Sequence, residues 1–436
     1  MRVSGLMLNA FLRNERGNIA VLFSLALMPL LIAGGGAIDY SMAVGAKSEL
    51  QGRLDAAVLS GVQQAAGAQV AKAEQVFDAN TAGFKRIESR TFSATGSVLT
   101  GEAHGSIPTS LLSIVGIHAI PITVTSAAER QTSPVCILVK DTAANALYVN
   151  SGVTVTAPDC EIHARSSAWI DSGQNIRSKR MCLDGRRNGN NAAPANLEEE
   201  CDAIADPYAN KLPGVSVPTN TCATKNGGNY DGKNNDLVLS GGDYCGFNFN
   251  GTHASVTFTG PANVKNVVFS GITTLNLRPG LYENITFNSG IKTVNLAPGL
   301  YIWKSATNLD SAKLAGEGVT IYFPDSSSHL RSNAGGSYDL KAPVSGTYAG
   351  ILFFEKDGLG TSSYTMDGAS PNNFEGLIYL PSRNITFNAN SHIRAGAFTL
   401  VVNRMLWNGG MNWTLSPGPK AMSSGGSGGG SARLVN

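Results

Sequence analysis

From Ile19 to Ile38 the chain runs without a charged side chain, which as a helix is about 30 Å, the hydrocarbon thickness of a bilayer. Beyond it Leu50, Leu54, Val58, Gly61, Val62 and Ala65 recur at three- and four-residue intervals, so one apolar face continues and the spacing predicts a single long helix leaving the apolar stretch. The pattern then changes period. Phe92, Ala94, Gly96 and Val98 alternate as a strand, Leu111 to Ile117 form a short apolar turn of helix, and Ile120 to Val124 read as a second strand. Together they predict a small α+β module packed on the emerging helix. From Cys136 onward come short β-branched runs broken by Gly, Asn and Pro, among them Val256–Phe258, Val267–Phe269, Ile285–Phe287, Val319–Phe323, Ile351–Phe354, Leu377–Leu380 and Ile385–Phe387. Two segments nearly repeat, Asn276-Leu-Arg-Pro-Gly-Leu-Tyr282 and Asn295-Leu-Ala-Pro-Gly-Leu-Tyr301. An echo at that offset is a solenoid signature, because each coil buries its apolar edge only by stacking on its neighbours. The expected fold is therefore mainly β, a right-handed parallel β-helix after a transmembrane helix and small module. A β-sandwich is the alternative; it accounts for short strands but not for the echo.

Composition narrows the function. Charged residues make up 15% of the 436, and the 50 glycines suit a turn-rich β architecture better than a helical bundle. The formal charge is +2 with no long run of Lys or Arg, which argues against nucleic acid as a partner. Arg2, Arg13 and Arg16 precede the apolar stretch against one acid, Glu15. The positive-inside rule then keeps the N-terminus cytoplasmic and sends the bulk outside. A cleaved signal peptide is the rival reading, with Ala33 to Ala37 as its weak small-residue site. The small residues Ala33, Gly34, Gly35, Gly36 and Ala37 are also where another membrane helix could pack closely.

Six cysteines, Cys136, Cys160, Cys182, Cys201, Cys222 and Cys245, fall 19 to 24 residues apart, with no CxxC or Cys/His metal spacing. They read as disulfides formed in an oxidising compartment. Sequential pairing, Cys136–Cys160, Cys182–Cys201 and Cys222–Cys245, is favoured among the possible connectivities only because each pair is about one coil apart.

Candidate chemistry is sparse. The expected rungs are nearly free of acids, and Asp231-Gly-Lys-Asn-Asn-Asp236 reads as an Asn/Gly turn rather than a Ca²⁺ loop. His104, His118, His163, His253, His329 and His392 are scattered without ligand or relay spacing. No catalytic residue, metal or cofactor is expected, and no enzyme. Trp303, Trp407 and Trp413 could line a carbohydrate-binding face, although solenoid aromatics more often fill the interior.

The stretch from Arg13 to Gly61 resembles the N-terminal module of TadE/TadG-like proteins of the tight-adherence (Flp) pilus assembly system: Arg-Gly-Asn before the span, Asp39 just beyond it, then Leu50-Gln51 and Leu54-Asp55-Ala56-Ala57. The likeness continues in Ile107-Pro108, Val124-Thr-Ser-Ala127, Cys136-Ile-Leu-Val, Ala157-Pro-Asp-Cys160, Asp206-Pro207, the two Pro-Gly-Leu-Tyr turns and Gly376-Leu-Ile-Tyr-Leu-Pro381. The branch it resembles has a solenoidal outer region; the von Willebrand A domain of other members has no visible counterpart. The resemblance implies a single-pass protein of the bacterial inner membrane, non-enzymatic, whose partners are that membrane and other Tad components such as pseudopilins, the assembly platform or the secretin. A surface adhesive or carbohydrate-binding rod is the other function class, and a polysaccharide-degrading enzyme the third. In processed pseudopilins a Glu at the fifth mature position neutralises a neighbour's new amine; counted from Gly17, that position here is Leu22, which marks an unprocessed accessory protein.

The expected organisation is 1–18 cytoplasmic, 19–38 transmembrane, 39–130 helix plus α+β module, 131–422 β-helix and 423–436 a Gly/Ser-rich tail. If the span is retained as an anchor, N-terminal sequencing of the membrane-extracted protein will find no mature chain beginning near Ile38; such a chain would mean a cleaved leader instead.

Overall fold

The computed structural model describes residues 18–435 except 65–66, 85–86, 132, 190–192, 202–203, 223–229, 234–235, 247–248, 289, 333–334, 367–371, 389–390, 419–421 and 424–430. Most of the expected cytoplasmic segment, Ala65, the centre of the Asp231–Asp236 loop and most of the Gly/Ser tail lie outside the described residues. Two compact units emerge, one of residues 1–131 with 430–436, the other of residues 132–429.

In the first unit helix α1 runs unbroken from Asn18 to Val62, through Pro29. Its first half is apolar on all sides and solvent-facing, with Leu25 69% exposed, long and apolar enough to cross a membrane. Its second half is amphipathic. Leu50, Leu54, Ala57, Val58 and Val62 are fully buried and share one core with Ala73 and Phe77 of α2 (Gln69–Thr81) and with the sheet. That sheet is antiparallel: β1 (Ile87–Thr95), β2 (Val98–Pro108), β3 (Ala119–Gln131), and then Ser431–Leu434, which returns from the far end of the chain to pair with β3. The alternation from Phe92 to Val98 is two strands rather than one. Gly96, at φ +61°, turns the chain back, a conformation glycine adopts without strain. Thus the last residues of the tail are a structural strand of this module.

The second unit is a parallel β-solenoid of about twelve coils, not a sandwich. Outward-pointing Asn side chains hydrogen-bond coil to coil, Asn295 to Asn276 at 2.8 Å and Asn276 to the Thr257 hydroxyl at 2.8 Å. The repeated Pro-Gly-Leu-Tyr turns supply the corners. At Gly280, φ is +154° and an added Cβ would stand 2.0 Å from the Ala262 carbonyl oxygen, so only glycine fits.

The coils are not stacked in chain order. Residues 134–198 build coils in one direction from the strand Pro134–Val139, while residues 230–417 begin elsewhere and approach that first strand from its other side. There the strand Ile393–Trp407 docks in parallel on the first coil, Leu400 opposite Ile137 and Val402 opposite Val139. Arg404 bonds Asp141 across this joint, and Asn150 donates to Asn408 at 2.6 Å. The solenoid's first strand consequently lies inside its own stack, between Ile393–Trp407 and Thr154–Ala164.

Such an order requires a segment that travels the length of the stack, and residues 204–222 are it. From the Cys182 strand to the Cys245 strand there are ten strand-to-strand steps, roughly 48 Å; the residues between Cys201 and Cys222 reach roughly 70 Å if extended. Pro207, Pro213 and Pro218 keep this strap out of the ladder by removing donors. Ile204, Tyr208, Leu212 and Val215 instead cover an outer apolar column that includes Leu138, Val401, Tyr379, Phe354, Tyr322, Ile302 and Leu281. Asp206 fastens it, 2.7 Å from the Lys140 ammonium and accepting the Tyr379 hydroxyl at 3.0 Å. Asn220 fixes the other end on the carbonyls of Tyr244 and Asn263.

Disulfides join Cys136–Cys160, Cys182–Cys201 and Cys222–Cys245, with Cα separations of 5.7, 5.9 and 6.0 Å. The last two close on either end of the strap. In the chain-entropy account each loop contributes roughly 3–3.5 kcal/mol. Asp206→Ala should cost about 2–3 kcal/mol by stranding Lys140 and the Tyr379 hydroxyl, and limited proteolysis should then cut first within 204–221; cleavage unchanged from the unaltered protein would contradict the fastening.

Candidate functional site

The functional candidates lie where α1 leaves its apolar half. Asp39 is the first charged residue after the span, yet it is only 1% exposed. Its carboxylate accepts hydrogen bonds from three successive backbone N–H groups, Ser110 at 3.1 Å and Leu111 and Leu112 at 2.8 Å. Those donors open the single 3₁₀ turn Leu112–Val115 that links β2 to β3. A helical start leaves its first N–H groups without partners, and here the neighbouring helix supplies the acceptor. The Leu112 N–H lowers the Asp39 pKa most; burial opposes it, and the N–H groups of Ser110 and Leu111 add to the lowering.

The same turn explains the small residues. Gly35 is buried under the Leu111 side chain, whose Cβ would stand 2.7 Å from a Cβ at that position, and Gly36 faces Leu112. Gly34 has nothing within 4 Å, and Ala33 and Ala37 are exposed. Of the five residues expected to pack on another membrane helix, two are taken by the chain's own turn, and Ala33, Gly34 and Ala37 keep an open face. Further along, Gln51 donates to Asp55 at 2.8 Å and to the Thr125 carbonyl at 2.9 Å, tying the helix to β3. The Arg130 guanidinium donates to the carbonyls of Gln63 and Gln64 just past the end of α1, where a cation suits the helix dipole.

Residues 17–65 match the family model described as Putative Flp pilus-assembly TadE/G-like. The N-terminus of this chain carries a TadE/G-like domain. No curated protein matches the chain, and no solved structure does. The matched segment thus holds the apolar helix, Asp39 and the buried face Leu50, Leu54 and Val58, but not the turn that Asp39 holds nor the solenoid.

The solenoid's other candidates are structural. Trp303, Trp407 and Trp413 are fully buried, which removes them as a carbohydrate-binding face; Trp413 donates to the Ser391 carbonyl at 2.7 Å and Trp303 to the Thr307 hydroxyl at 3.1 Å. Half-buried Trp169 stacks on Tyr148 at 5.7 Å, so these two rings spend facing surfaces on each other. The rungs do contain acids, contrary to the expectation, and bases on adjacent coils pair with several of them. Glu283 lies 2.9 Å from Lys304, Asp339 2.7 Å from Lys313, and buried Glu355 2.6 Å from Arg383. Arg383 completes its bonds on the Ser362 hydroxyl and the Asp325 carbonyl, both at 2.7 Å. Glu161 is likewise buried; burial raises its carboxyl, but bonds from His163 at 2.7 Å and Arg180 at 2.9 Å outweigh that and hold it below the ordinary value. Among the described residues no group of three His, Cys, Asp or Glu side chains is placed to hold a metal.

Asp39 is the residue that sequence reading left without a role. Its one signal is a lone acid at the end of an uncharged span, and its partners are backbone groups some seventy residues away, which no side-chain pattern marks. Asp39→Ala should free the 110–117 turn, raising its hydrogen exchange and protease sensitivity with the solenoid unchanged. Because the folded pKa is lowered, the Asp39 contribution is complete above the ordinary carboxylate value and is lost as pH falls through the folded one. Protection of this turn that persists unchanged from neutral pH to pH about 2 would contradict it.

Proposed function

We propose that the protein is a non-enzymatic accessory of Tad/Flp pilus assembly, anchored in the bacterial inner membrane by residues 19–38. Its N-terminus is cytoplasmic and its solenoid faces envelope or pilus components. The observation that carries this reading is the TadE/G-like match over residues 17–65, which falls on the apolar helix itself. Supporting it, the disulfides fit an oxidising compartment outside the cytoplasm, and the arginines before the span fit a cytoplasmic N-terminus.

A rung-stacked solenoid with several of its wall acids paired to bases offers large, stiff surface and little reactive chemistry. Its partners in this reading are other Tad components: pseudopilins, the assembly platform or the secretin. Helix association in a membrane depends on close approach rather than on hydrophobicity, which assigns the partner-facing role to Ala33, Gly34 and Ala37.

Deleting the gene should abolish or strongly reduce surface Flp pili, counted by electron microscopy, and the intact gene should restore them. A Gly34→Leu copy should be exported, disulfide-bonded and stable yet restore pili poorly. Normal piliation in the deletion strain, together with polysaccharide cleavage by the purified protein, would replace this reading with the enzymatic one.

A further inference from the structure

The 3₁₀ turn that Asp39 holds is apolar on its outside. From Thr109 to Ile117 the sequence has no Asp, Glu, Lys or Arg, and Ile114 is 72%, Ile117 48% and Val115 46% exposed. Exposed apolar side chains of a small module usually occur singly; here three cluster on one turn beside a fourth, half-open Leu111. The turn also has a fixed position along α1. Leu111 covers Gly35 and Leu112 faces Gly36, so it is held about 6 Å back from Asp39 toward the apolar half of the helix.

Most backbone N–H groups of the turn already have partners within the protein. Asp39 accepts from residues 110, 111 and 112. The N–H of Thr109 bonds His118, that of Ile114 bonds Leu111, that of Gly116 bonds Ser113 and that of Ile117 bonds Leu112, at 3.1 to 3.3 Å. Two of the hydroxyls also turn inward, Ser113 to the Ser110 carbonyl at 2.6 Å and Thr109 to the Ile117 carbonyl. An unpaired backbone group is costly away from water, so this pairing lowers the cost of burying the apolar side chains of the turn at the headgroup/acyl boundary. Tyr40, 65% exposed, stands just beyond Asp39, where an aromatic with a polar tip suits the headgroup level.

We propose that residues 111–117 enter the outer leaflet beside the anchor helix, making a second, monotopic membrane contact through Ile114, Val115 and Ile117. The occupant is lipid acyl chain, because the patch continues the lipid-facing surface of α1 without a charged residue between them. This rests on the reading of residues 19–38 as a membrane span. Asp39 thereby fixes how deep the turn sits and sets the module upright on the membrane with two contacts instead of one.

The test uses the full-length protein, its three disulfides intact, in vesicles of phosphatidylethanolamine and phosphatidylglycerol. A nitrobenzoxadiazole label is placed at one introduced cysteine, Ile114→Cys, with Leu27→Cys inside the span and Val344→Cys, at a site 98% exposed on the solenoid, as references. The label at 114 should be quenched by acyl-chain spin labels about threefold more than the label at 344, and should be shielded from aqueous iodide as the label at 27 is. Quenching at 27 with iodide access at 114 overturns the inserted turn and leaves the anchor standing. Iodide access at both overturns the two together. A label at 114 shielded from iodide but not quenched by lipid means that protein, a second copy of this chain, covers the turn, and overturns the proposal as well.

Discussion

A parallel coil has no way to satisfy its backbone within itself: every N–H and C=O on its edge needs another coil beside it. In this protein the first strand meets that requirement on one side through a late coil of the same solenoid, with Leu400–Val402 paired to Ile137–Val139. The joint makes two separately wound stacks into one. It also dictates the strap, since a chain that ends beside its beginning must first have crossed to the far end. The strap in turn gives the outer apolar column its cover and gives the Cys201 and Cys222 ends their disulfides.

The first unit follows a comparable rule on a smaller scale. Its two chain-distant parts, β3 and the strand Ser431–Leu434, are paired by backbone, and its turn is fastened by the one carboxylate that α1 carries at the edge of its apolar half. No residue from Ile19 to Ile38 is charged, so this carboxylate is the first charge the helix offers after its apolar half. A buried carboxylate with three N–H donors is stable where an unpaired one would be costly. The TadE/G-like match ends at residue 65, and the donors lie beyond it, which joins the matched segment to the rest of its module.

Much of this was readable from residue pattern. The uncharged run, the face Leu50, Leu54 and Val58, the repeated Pro-Gly-Leu-Tyr turns and the cysteine spacing each express a local period, and local periods survive in sequence. The coil order did not. Pairing of Leu400 with Ile137 depends on which coil ends remain unpaired, and no motif at either residue records it; the strap, with its three prolines and scattered apolar residues, reads as loop. The tryptophans were ambiguous for a similar reason, because inward and outward positions alternate and a shift of one residue exchanges them. Most of the rung ion pairs join residues about a coil or more apart, as Lys304 and Glu283 do, beyond any short window. Asp39 was visible as a lone acid, but its partners are backbone groups.

The central claim is that this helix-anchored solenoid works as part of the Tad machinery, with the open face of α1 turned toward another component. In-cell photocrosslinking tests it most directly: a photoreactive amino acid at position 34, on that open face, in cells assembling Flp pili. The account predicts a discrete adduct with another Tad membrane component from position 34, and from position 35, which the chain's own turn covers, no such adduct. Adducts from position 34 with lipid alone, in cells bearing normal pili, would contradict it.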